Sequence, residues 1–290
     1  MSESQKLIFA ATAAFFAATT AAFAAQPEPW QMTLQPAATE IMASLIWFEQ
    51  YTLWFMVPIT LFVAGLLIYV CWRFRASANP VPSRTTHNSL IEVIWTAVPV
   101  LILVAIAFPS FQLLNAQYSP PREAELTIKA TGNQWYWSYE YQLTEAPIGF
   151  DANLLKDEDR ASFGKEDQAA YPHLLAVDNE IVVPVDTVVR VLVTAADVLH
   201  AFAMPAFGIK RDAVPGRLNE TWFLAEKEGL YYGQCSEICG KDHAYMPIAV
   251  RVVSKADYAS WATAAAVDVS LANKTLMASL KSKNAVALAD

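Results

Sequence analysis

The residues with the clearest chemical potential lie in one short segment, YYGQCSEICGKDHAYMP, which contains Cys235, Cys239, His243 and Met246. Thiolate, imidazole and thioether are soft ligands that suit copper. One cysteine, two histidines and a weak axial methionine would describe a mononuclear blue-copper site. This segment supplies a second cysteine, so both thiolates can bridge two metal ions. The segment therefore favours a two-copper centre that transfers electrons.

A second histidine ligand must come from elsewhere in the chain. His200 occurs in the run DVLHAFAM, at the end of a β-type stretch over residues 182–193. In a β-sandwich such a strand end can return beside the cysteine loop. Met204, in the same run, is predicted to pack in the core. His87 and His173 have no ligand-like neighbours and are predicted to be solvated loop residues.

Other interpretations of the cysteines remain open. A Cys-x3-Cys pair by itself could form a disulfide in an exported domain or supply half of a zinc site. The presence of His243 and Met246 in the same loop disfavours both. Cys71 lies in a long apolar run, where a lone thiol usually acts as a small hydrophobic side chain.

An aromatic run, GNQWYWSYEY, is the second unusual segment. An extended strand places one set of its aromatic residues on a single face: Trp135, Trp137, Tyr139 and Tyr141. Tyr136 and Glu140 then point to the other face. Such residues ordinarily form a sandwich core, but aromatics on both faces exceed what one core face needs. Some are therefore expected to be exposed, where a tryptophan can form a docking hot spot and receive electrons.

Short β-type runs separated by turn residues must position these side chains. They cover residues 126–130, 134–142, 180–194, 217–232 and 248–253. This pattern predicts a β-sandwich or a small Greek-key barrel. Residues 145–170 are polar and charged and are predicted to form an inserted surface loop. The end of the chain is predicted to have a helical start and then a mobile polar tail.

Two uncharged apolar runs, residues 51–72 and 93–114, precede this domain. At about 1.5 Å per residue, each reaches across a hydrocarbon core of roughly 30 Å. Aromatic residues lie near the expected membrane interfaces: Trp47, Tyr51, Trp72 and Trp95. Lys6 precedes an Ala/Phe-rich stretch that ends before Gln26, which predicts a cleaved signal peptide. The alternative is a retained third spanning helix.

Charge indicates the orientation and the kind of partner. The loop between the two apolar runs carries Arg73, Arg75 and Arg84, so the positive-inside rule places it in the cytoplasm and both mature termini outside. The formal net charge of −8 disfavours nucleic acid and favours a basic partner. The predicted organisation is a signal peptide (1–25), an exported segment (26–46), a first spanning helix (47–74), a cytoplasmic loop (75–89), a second spanning helix (90–115), the metal-binding domain (116–254) and a C-terminal tail (255–290).

The motifs GNQWYWSYEY, DVLHAFAMPAFGIKRDAVPGR and YYGQCSEICGKDHAYMP resemble those of subunit II of haem–copper cytochrome c oxidase, of the bacterial and mitochondrial type. The resemblance runs from the first apolar helix to about residue 253. It implies a membrane α-helical hairpin followed by an all-β, cupredoxin-like Greek-key barrel. The implied function is to accept electrons from cytochrome c at a dinuclear copper A centre. Haem in subunit I would receive them, reduce oxygen to water and couple this to proton pumping.

The resemblance also implies roles for individual residues. The copper A positions match five side chains and one main-chain carbonyl: His200, Cys235, Cys239, His243, Met246 and the carbonyl of Glu237. The Glu237 carboxylate matches a magnesium ligand at the contact with subunit I. Trp135 matches the tryptophan that receives the electron from cytochrome c. Glu140 and Asp178 match acidic positions of the docking patch.

Glu92 matches a carboxylate at the mouth of a proton-uptake channel in subunit I. The residues themselves favour a different role, because Ser89-Leu-Ile-Glu92 has the form of a helix capping box. The two roles are compatible. The resemblance further implies subunit III as a partner. The implied location is the bacterial inner membrane, with the copper domain in the periplasm.

Three rival classes remain at this stage. A quinol oxidase subunit II has the same fold without copper, but it would lack the five ligand side chains. Nitrous oxide reductase shares the copper centre but carries a much larger catalytic domain. A copper-delivery or storage protein would bind the metal without electron transfer, and its activity would not depend on Trp135.

Overall fold

The computed structural model describes residues 23–81, 83–142 and 147–287. Most of the predicted signal peptide, residues 1–22, lies outside the described residues. The described chain divides into two compact units. One unit contains the residues up to Met42 together with those from Pro120 onward, and the other is Ala43–Ser119.

Two long helices dominate the second unit, α1 (Glu40–Arg73) and α2 (Ser89–Tyr118). Both are long and apolar enough to cross a membrane, which confirms the two predicted spans. Helix α1 begins seven residues before the predicted boundary at residue 47, because helical structure continues beyond the apolar run. The Tyr51 hydroxyl donates a hydrogen bond to the Ala105 carbonyl, 3.1 Å away, and so links the two helices.

The start of α2 is capped one residue earlier than the sequence predicts. Asn88 is the N-cap, and its side-chain oxygen accepts a hydrogen bond from the Ile91 backbone N–H, at 3.2 Å. The Glu92 carboxylate accepts one from the Asn88 backbone N–H, at 3.0 Å. The reciprocal pattern of a capping box is therefore present, with Asn88 in the position predicted for Ser89.

The other unit is a β-sandwich with eleven strands among the described residues. They are β1 (Phe23–Ala25), β2 (Leu126–Asn133), β3 (Tyr136–Tyr141), β4 (Ile148–Ala152), β5 (Ile181–Pro184), β6 (Val188–Ala195), β7 (His200–Met204), β8 (Ile209–Ala213), β9 (Asn219–Leu224), β10 (Gly229–Cys235) and β11 (Pro247–Val253). One sheet has the order β5-β11-β10-β7-β8, with β1 also paired to β10. The other has the order β4-β3-β2-β6-β9.

Alternating side chains close the core between the two sheets. In β2 every second residue is buried, and in β3 the buried residues are Trp137, Tyr139 and Tyr141. Residues of both sheets belong to one hydrophobic cluster. The predicted cupredoxin-like, all-β fold class is confirmed, in the form of a two-sheet sandwich.

A continuous strand from Gln134 would place Trp135 on the core face of β3. In the structure Trp135 does not share that face. The strand begins at Tyr136, and Trp135 lies before the first ladder pair, Asn133 with Tyr136. Its side chain is half-buried against the edge of the core. The prediction that part of the aromatic run is exposed is consistent with this position.

The segment predicted as a surface loop is partly structural. It contains β4 and a short helix, α3 (Arg160–Phe163). Lys165 is completely buried, and its ammonium group contacts the Glu180 carboxylate at 2.9 Å. It also donates to the Val177 carbonyl at 2.7 Å. The surface-loop prediction was wrong here because charged residues are usually exposed, whereas this lysine is buried with a partner.

The two ends of the chain also differ from the sequence expectation. The predicted polar tail continues as helix α5 (Val269–Ala287) after α4 (Lys255–Ala265). The indole N–H of buried Trp261 in α4 donates to Asn273 of α5 at 2.7 Å. At the other end, β1 pairs in parallel with β10, although Phe23–Ala25 belongs to the predicted signal peptide. Cleavage before Gln26 stays a prediction.

Candidate metal centre

The cysteine loop connects two neighbouring antiparallel strands. Strand β10 ends at Cys235, and β11 begins directly after Met246. The last ladder pair joins Gln234 to Pro247, and the Cys235 backbone N–H donates to the Met246 carbonyl at 3.4 Å. This closure forces both ends of the loop to the same end of the sandwich. The sulfur atoms of the loop are therefore brought together.

The two thiols are close but not bonded. Their Sγ atoms are 3.9 Å apart, and both cysteines are free and buried. A disulfide requires an S–S distance of about 2.05 Å. The structure thus has the dithiol form, not the disulfide form that the spacing alone left open.

Three further soft or polar donors surround the thiols. His243 Nδ1 lies 3.4 Å from Cys239 Sγ, and Met246 Sδ lies 3.5 Å from the same sulfur. The Glu237 carbonyl oxygen lies 3.3 Å from Cys235 Sγ. The Glu237 side chain faces solvent while its main chain faces the thiols. The loop therefore presents the donors that the sequence predicted.

His200 reaches the same cluster from the neighbouring strand. It is the first residue of β7, which pairs with β10 through Phe202 and Cys235. Its Nδ1 atom lies 3.8 Å from Cys235 Sγ. The ligand atoms of His200, Cys235 and Cys239 lie within 4.8 Å of one another, and all three residues are buried. The structure thus brings together the six donors predicted from the sequence.

Hydrogen bonding controls the protonation of this cluster. Burial raises the pKa of the Cys235 thiol, but the hydrogen bond with His200 and backbone donors outweigh it and lower the pKa to about 7. Burial and the adjacent Cys235 thiolate raise the pKa of Cys239 to about 12. Burial alone would lower the pKa of His200, yet Cys235 and Asp197 raise it overall. The contact between the two residues therefore shifts the pKa of Cys235 and the pKa of His200 in opposite directions, toward a thiolate and toward a protonated ring.

Asp197 orients the His200 ring, and the sequence analysis did not identify this role. The His200 Nε2 atom lies 2.9 Å from an Asp197 carboxylate oxygen, which leaves Nδ1 directed at Cys235. The other carboxylate oxygen accepts a hydrogen bond from the Gln134 backbone N–H at 2.8 Å. Carboxylate partners of this kind fix metal-binding histidines. The sequence offered one signal for this role, namely that an acidic residue stands three positions before His200.

The donor chemistry fits copper. Two thiols, two imidazoles and a thioether are soft to intermediate ligands, and burial keeps competing water away. One imidazole is already oriented by a carboxylate. Met204 is fully buried in the core cluster, as predicted for a packing residue. His87 and His173 are exposed, as predicted.

The side chains of Gln134 and Trp135 both donate hydrogen bonds to the same backbone oxygen of the metal-binding loop, that of Cys239. The Cys239 carbonyl accepts a hydrogen bond from the Gln134 side-chain amide at 2.7 Å and another from the Trp135 indole N–H at 3.3 Å. The contact joins residues more than 100 positions apart in the sequence. Gln134 was not predicted, and only its adjacency to Trp135 pointed to it.

The remaining predicted residues are not gathered at the centre. Glu140 is exposed and pairs with Lys129 at 2.8 Å. The Asp178 carboxylate accepts hydrogen bonds from the Asn153 backbone at 2.8 Å and from the Asn179 backbone at 2.6 Å. Glu92 belongs to the helical unit, where it caps α2.

A cupredoxin-like sandwich with a dithiol–imidazole loop, carried on a chain with two apolar helices, is the organisation of a membrane-anchored protein with a candidate metal site. The chain matches the family "Cytochrome C oxidase subunit II, periplasmic domain" over residues 126–253 and its "transmembrane domain" over residues 27–113. It belongs to the cytochrome c oxidase subunit II family. Helices α4 and α5 lie beyond the matched residues.

Individual relatives cover most of the chain. It is 52% identical over 236 residues to the "Probable cytochrome c oxidase subunit 2" of Rickettsia bellii. The aligned region covers 81% of this chain and 84% of the relative. It is 45% identical over 265 residues to cytochrome c oxidase subunit 2 of Cereibacter sphaeroides. This alignment covers 88% of this chain and 86% of the relative. A solved periplasmic domain of subunit II from Bradyrhizobium japonicum is 56% identical and covers 51% of this chain and 98% of its own, with a TM-score of 0.45.

The family membership has direct consequences. The chain is a subunit of a cytochrome c oxidase, an oxidoreductase, and other oxidase subunits are its partners. Its family binds copper A, and the cluster of His200, Cys235 and Cys239 agrees with this. Two membrane-spanning helices and a periplasmic domain are the family's organisation.

Proposed function

We propose that this chain accepts electrons from a cytochrome c at a dinuclear copper A centre and delivers them to haem in subunit I. The observation that carries the proposal is the pair of buried, unlinked thiols whose Sγ atoms lie 3.9 Å apart. Two thiolates at this separation can each contact the same two metal ions. A mononuclear blue-copper site needs only one of them.

The loop and β7 together supply the proposed ligands. These are the thiolates of Cys235 and Cys239, the imidazoles of His200 and His243, the thioether of Met246 and the carbonyl of Glu237. Copper, when bound, supplies a one-electron couple. The two buried thiolates would hold the metal and share the change in charge. Asp197 holds the His200 ring in place, so that little of the protein must move.

Trp135 is the proposed residue at which electrons enter. Its half-buried indole donates a hydrogen bond to the carbonyl of Cys239, one of the two proposed bridging residues. A single hydrogen bond therefore connects an accessible aromatic ring to the metal-binding loop. The Trp137 indole makes a similar contact, to the Met246 carbonyl at 3.3 Å, but Trp137 is fully buried. Accessibility therefore favours Trp135 over Trp137 as the residue that a partner can reach.

Acidic residues are the proposed docking groups for a basic cytochrome c. The chain has a formal net charge of −8. Glu140 is exposed and its partner Lys129 is a surface residue, so the carboxylate remains accessible. The Asp178 carboxylate is engaged by backbone N–H groups. Glu140 is therefore expected to contribute more to docking than Asp178.

Further roles belong to contacts with the rest of the oxidase. The solvent-facing carboxylate of Glu237 is proposed to bind magnesium together with subunit I. Glu92 is proposed to serve the proton-uptake channel of subunit I while it caps α2. Subunit III is a further proposed partner. The arginine-rich loop is proposed to lie in the cytoplasm of a bacterium, with both mature termini in the periplasm.

Electron paramagnetic resonance of the copper-loaded full chain in mild detergent tests the centre. One unpaired electron shared by two equivalent copper nuclei is the expected hyperfine pattern. Replacing Cys239 by serine should convert it to coupling with a single nucleus, whereas the matched change Cys71→Ser should leave it intact. Coupling to one nucleus in the unsubstituted chain would contradict the proposal and favour a mononuclear carrier or a copper-delivery protein.

Replacing Trp135 by phenylalanine tests the route. The oxidase should then oxidise cytochrome c at least about tenfold more slowly, while a small soluble reductant still reduces the copper. The copper spectrum of this variant serves as the control for an intact centre. An unchanged rate with cytochrome c would contradict the role of Trp135.

A further inference from the structure

A lysine lies directly over the proposed electron-accepting tryptophan. The Lys241 ammonium nitrogen is 5.6 Å from the centroid of the Trp135 ring, within the range of a cation–π interaction. The Lys241 side chain is 79% exposed. A partner that docks on the accessible part of Trp135 therefore meets a positive charge close to the ring.

The backbone keeps Lys241 in this position. Gly240, its neighbour, has φ +126°, and a Cβ atom there would lie 3.0 Å from Trp135 Cζ2 and 3.1 Å from Gln134 Nε2. The turn thus packs against the indole. The indole N–H also donates a hydrogen bond to the Cys239 carbonyl, in the residue before Gly240. Ring and turn hold each other, so the lysine cannot leave the neighbourhood of the ring without its side chain turning outward.

The charge of Lys241 is only weakly compensated. Among the described residues, its ion-pair partner is Asp242. The Lys241 ammonium nitrogen lies 3.8 Å from the Asp242 carboxylate, at the outer limit of an ion pair. Asp197, the other acid beside the Trp135 segment, is engaged by His200 and the Gln134 backbone. Lys241 therefore places a weakly paired positive charge beside the ring, although the chain as a whole is acidic.

We propose that Lys241 is a specificity-determining residue, which sets the charge at the point where the electron donor docks. It disfavours a donor with a basic group opposite Trp135. It favours a donor whose basic face has a neutral or acidic spot over its redox cofactor. This inference rests on the proposed function, because it takes Trp135 as the residue at which electrons enter.

A charge series at one position tests the inference in the assembled oxidase. The variants are Lys241→Arg, Lys241→Gln and Lys241→Glu, and Lys156→Gln removes the same charge from an exposed site on the same domain. The measured quantity is the second-order rate constant of electron transfer from a uniformly basic cytochrome c at low ionic strength.

The rate constant is expected to be highest with glutamate at position 241 and lower with glutamine. It should be lowest, and equal, with arginine and lysine. Removing one charge about 7 Å from a basic group in water speeds association about threefold, and reversing it about sevenfold. Lys156→Gln should change the rate less than half as much, and high salt should erase the differences. A rate that does not follow this order, or that rises equally for Lys241→Gln and Lys156→Gln, would overturn the inference.

The Trp135→Phe variant separates this result from the proposed function. If that variant slows electron transfer and the Lys241 series shows no order, the specificity role alone fails. If Trp135→Phe has no effect, the proposed route fails and the Lys241 inference fails with it. The copper spectrum of each variant reports whether the loop itself has been disturbed, and the charge order must hold among the variants whose spectrum is unchanged.

Discussion

Replacing Glu180 by glutamine removes a carboxylate that pairs with two buried cations. Arg251 contacts it through two nitrogen atoms, at 2.5 and 3.1 Å, and the Lys165 ammonium lies 2.9 Å away. These three charged side chains are almost entirely buried. Lys165 comes from the inserted segment and Arg251 from β11, so the cluster fixes the insertion to the sandwich.

The size of the effect follows from the burial and the charges. Burial raises the pKa of Glu180, but Arg251 and Lys165 outweigh this and lower it from 4.5 to about 2. Such a change corresponds to about 3 kcal/mol. Burial lowers the pKa of Lys165, which offsets part of this gain. Since glutamine leaves two buried cations without a counter-charge, the free energy of unfolding should fall by about 3 kcal/mol or more.

Urea titration of the metal-free chain in mild detergent, followed by near-ultraviolet circular dichroism, measures the difference. Glu140→Gln is the control, because its ion pair with Lys129 is exposed and should contribute no more than about 1 kcal/mol. The folded pKa of Glu180 lies below its unfolded value. Its stabilisation is therefore complete above about pH 4.5 and is lost as the pH falls toward 2. Equal losses for the two variants at pH 7 would refute the reasoning.

Three further predictions concern the centre and the C-terminal helices. Asp197→Asn should weaken copper binding about tenfold, because the charged partner of His200 Nε2 is lost. A chelator competition assay measures the copper affinity, and an unchanged affinity would contradict the prediction. Gly132→Ala would place a Cβ 2.8 Å from the His200 ring, so the copper resonance should shift while the circular dichroism of the fold is retained. Trp261→Phe removes the buried hydrogen bond to Asn273 and should lower the free energy of unfolding by about 1–3 kcal/mol in urea; a loss below 0.5 kcal/mol would argue against it.

The membrane helices and the donor types could be predicted from the sequence because both depend on local information. A long uncharged run determines a spanning helix by length and composition alone. The loop from Cys235 to Met246 carries four side-chain donors within one short connection, so any fold that closes it brings them near each other. His200 was predicted to lie at the end of a strand that returns beside the loop, whereas in the structure it begins β7, and the pairing of β7 with β10 sets its distance from Cys235. The cap of α2 was missed by one residue, since Asn88 and Ser89 are both suitable caps.

Other features depended on contacts between distant segments. The inserted segment was predicted to be a surface loop because its lysines and acids are residues that water usually solvates, and burial of Lys165 requires Glu180. The predicted strand included Trp135, whereas the contact with Cys239 holds it outside the ladder. Helix α5 has a weakly apolar sequence, and packing of Leu276 and Met277 into the core stabilises it.

The sequence by itself determined the ligand chemistry, the membrane spans and the β-rich class of the exported domain. The tertiary structure decided which oxygen orients His200, how far apart the two thiols lie, and that Lys241 covers Trp135. The physical reason is that donor type and hydropathy belong to single residues and short runs. Distances of a few ångströms, whether within one loop or between distant segments, are determined only when the strands that carry these residues pair and the two sheets pack.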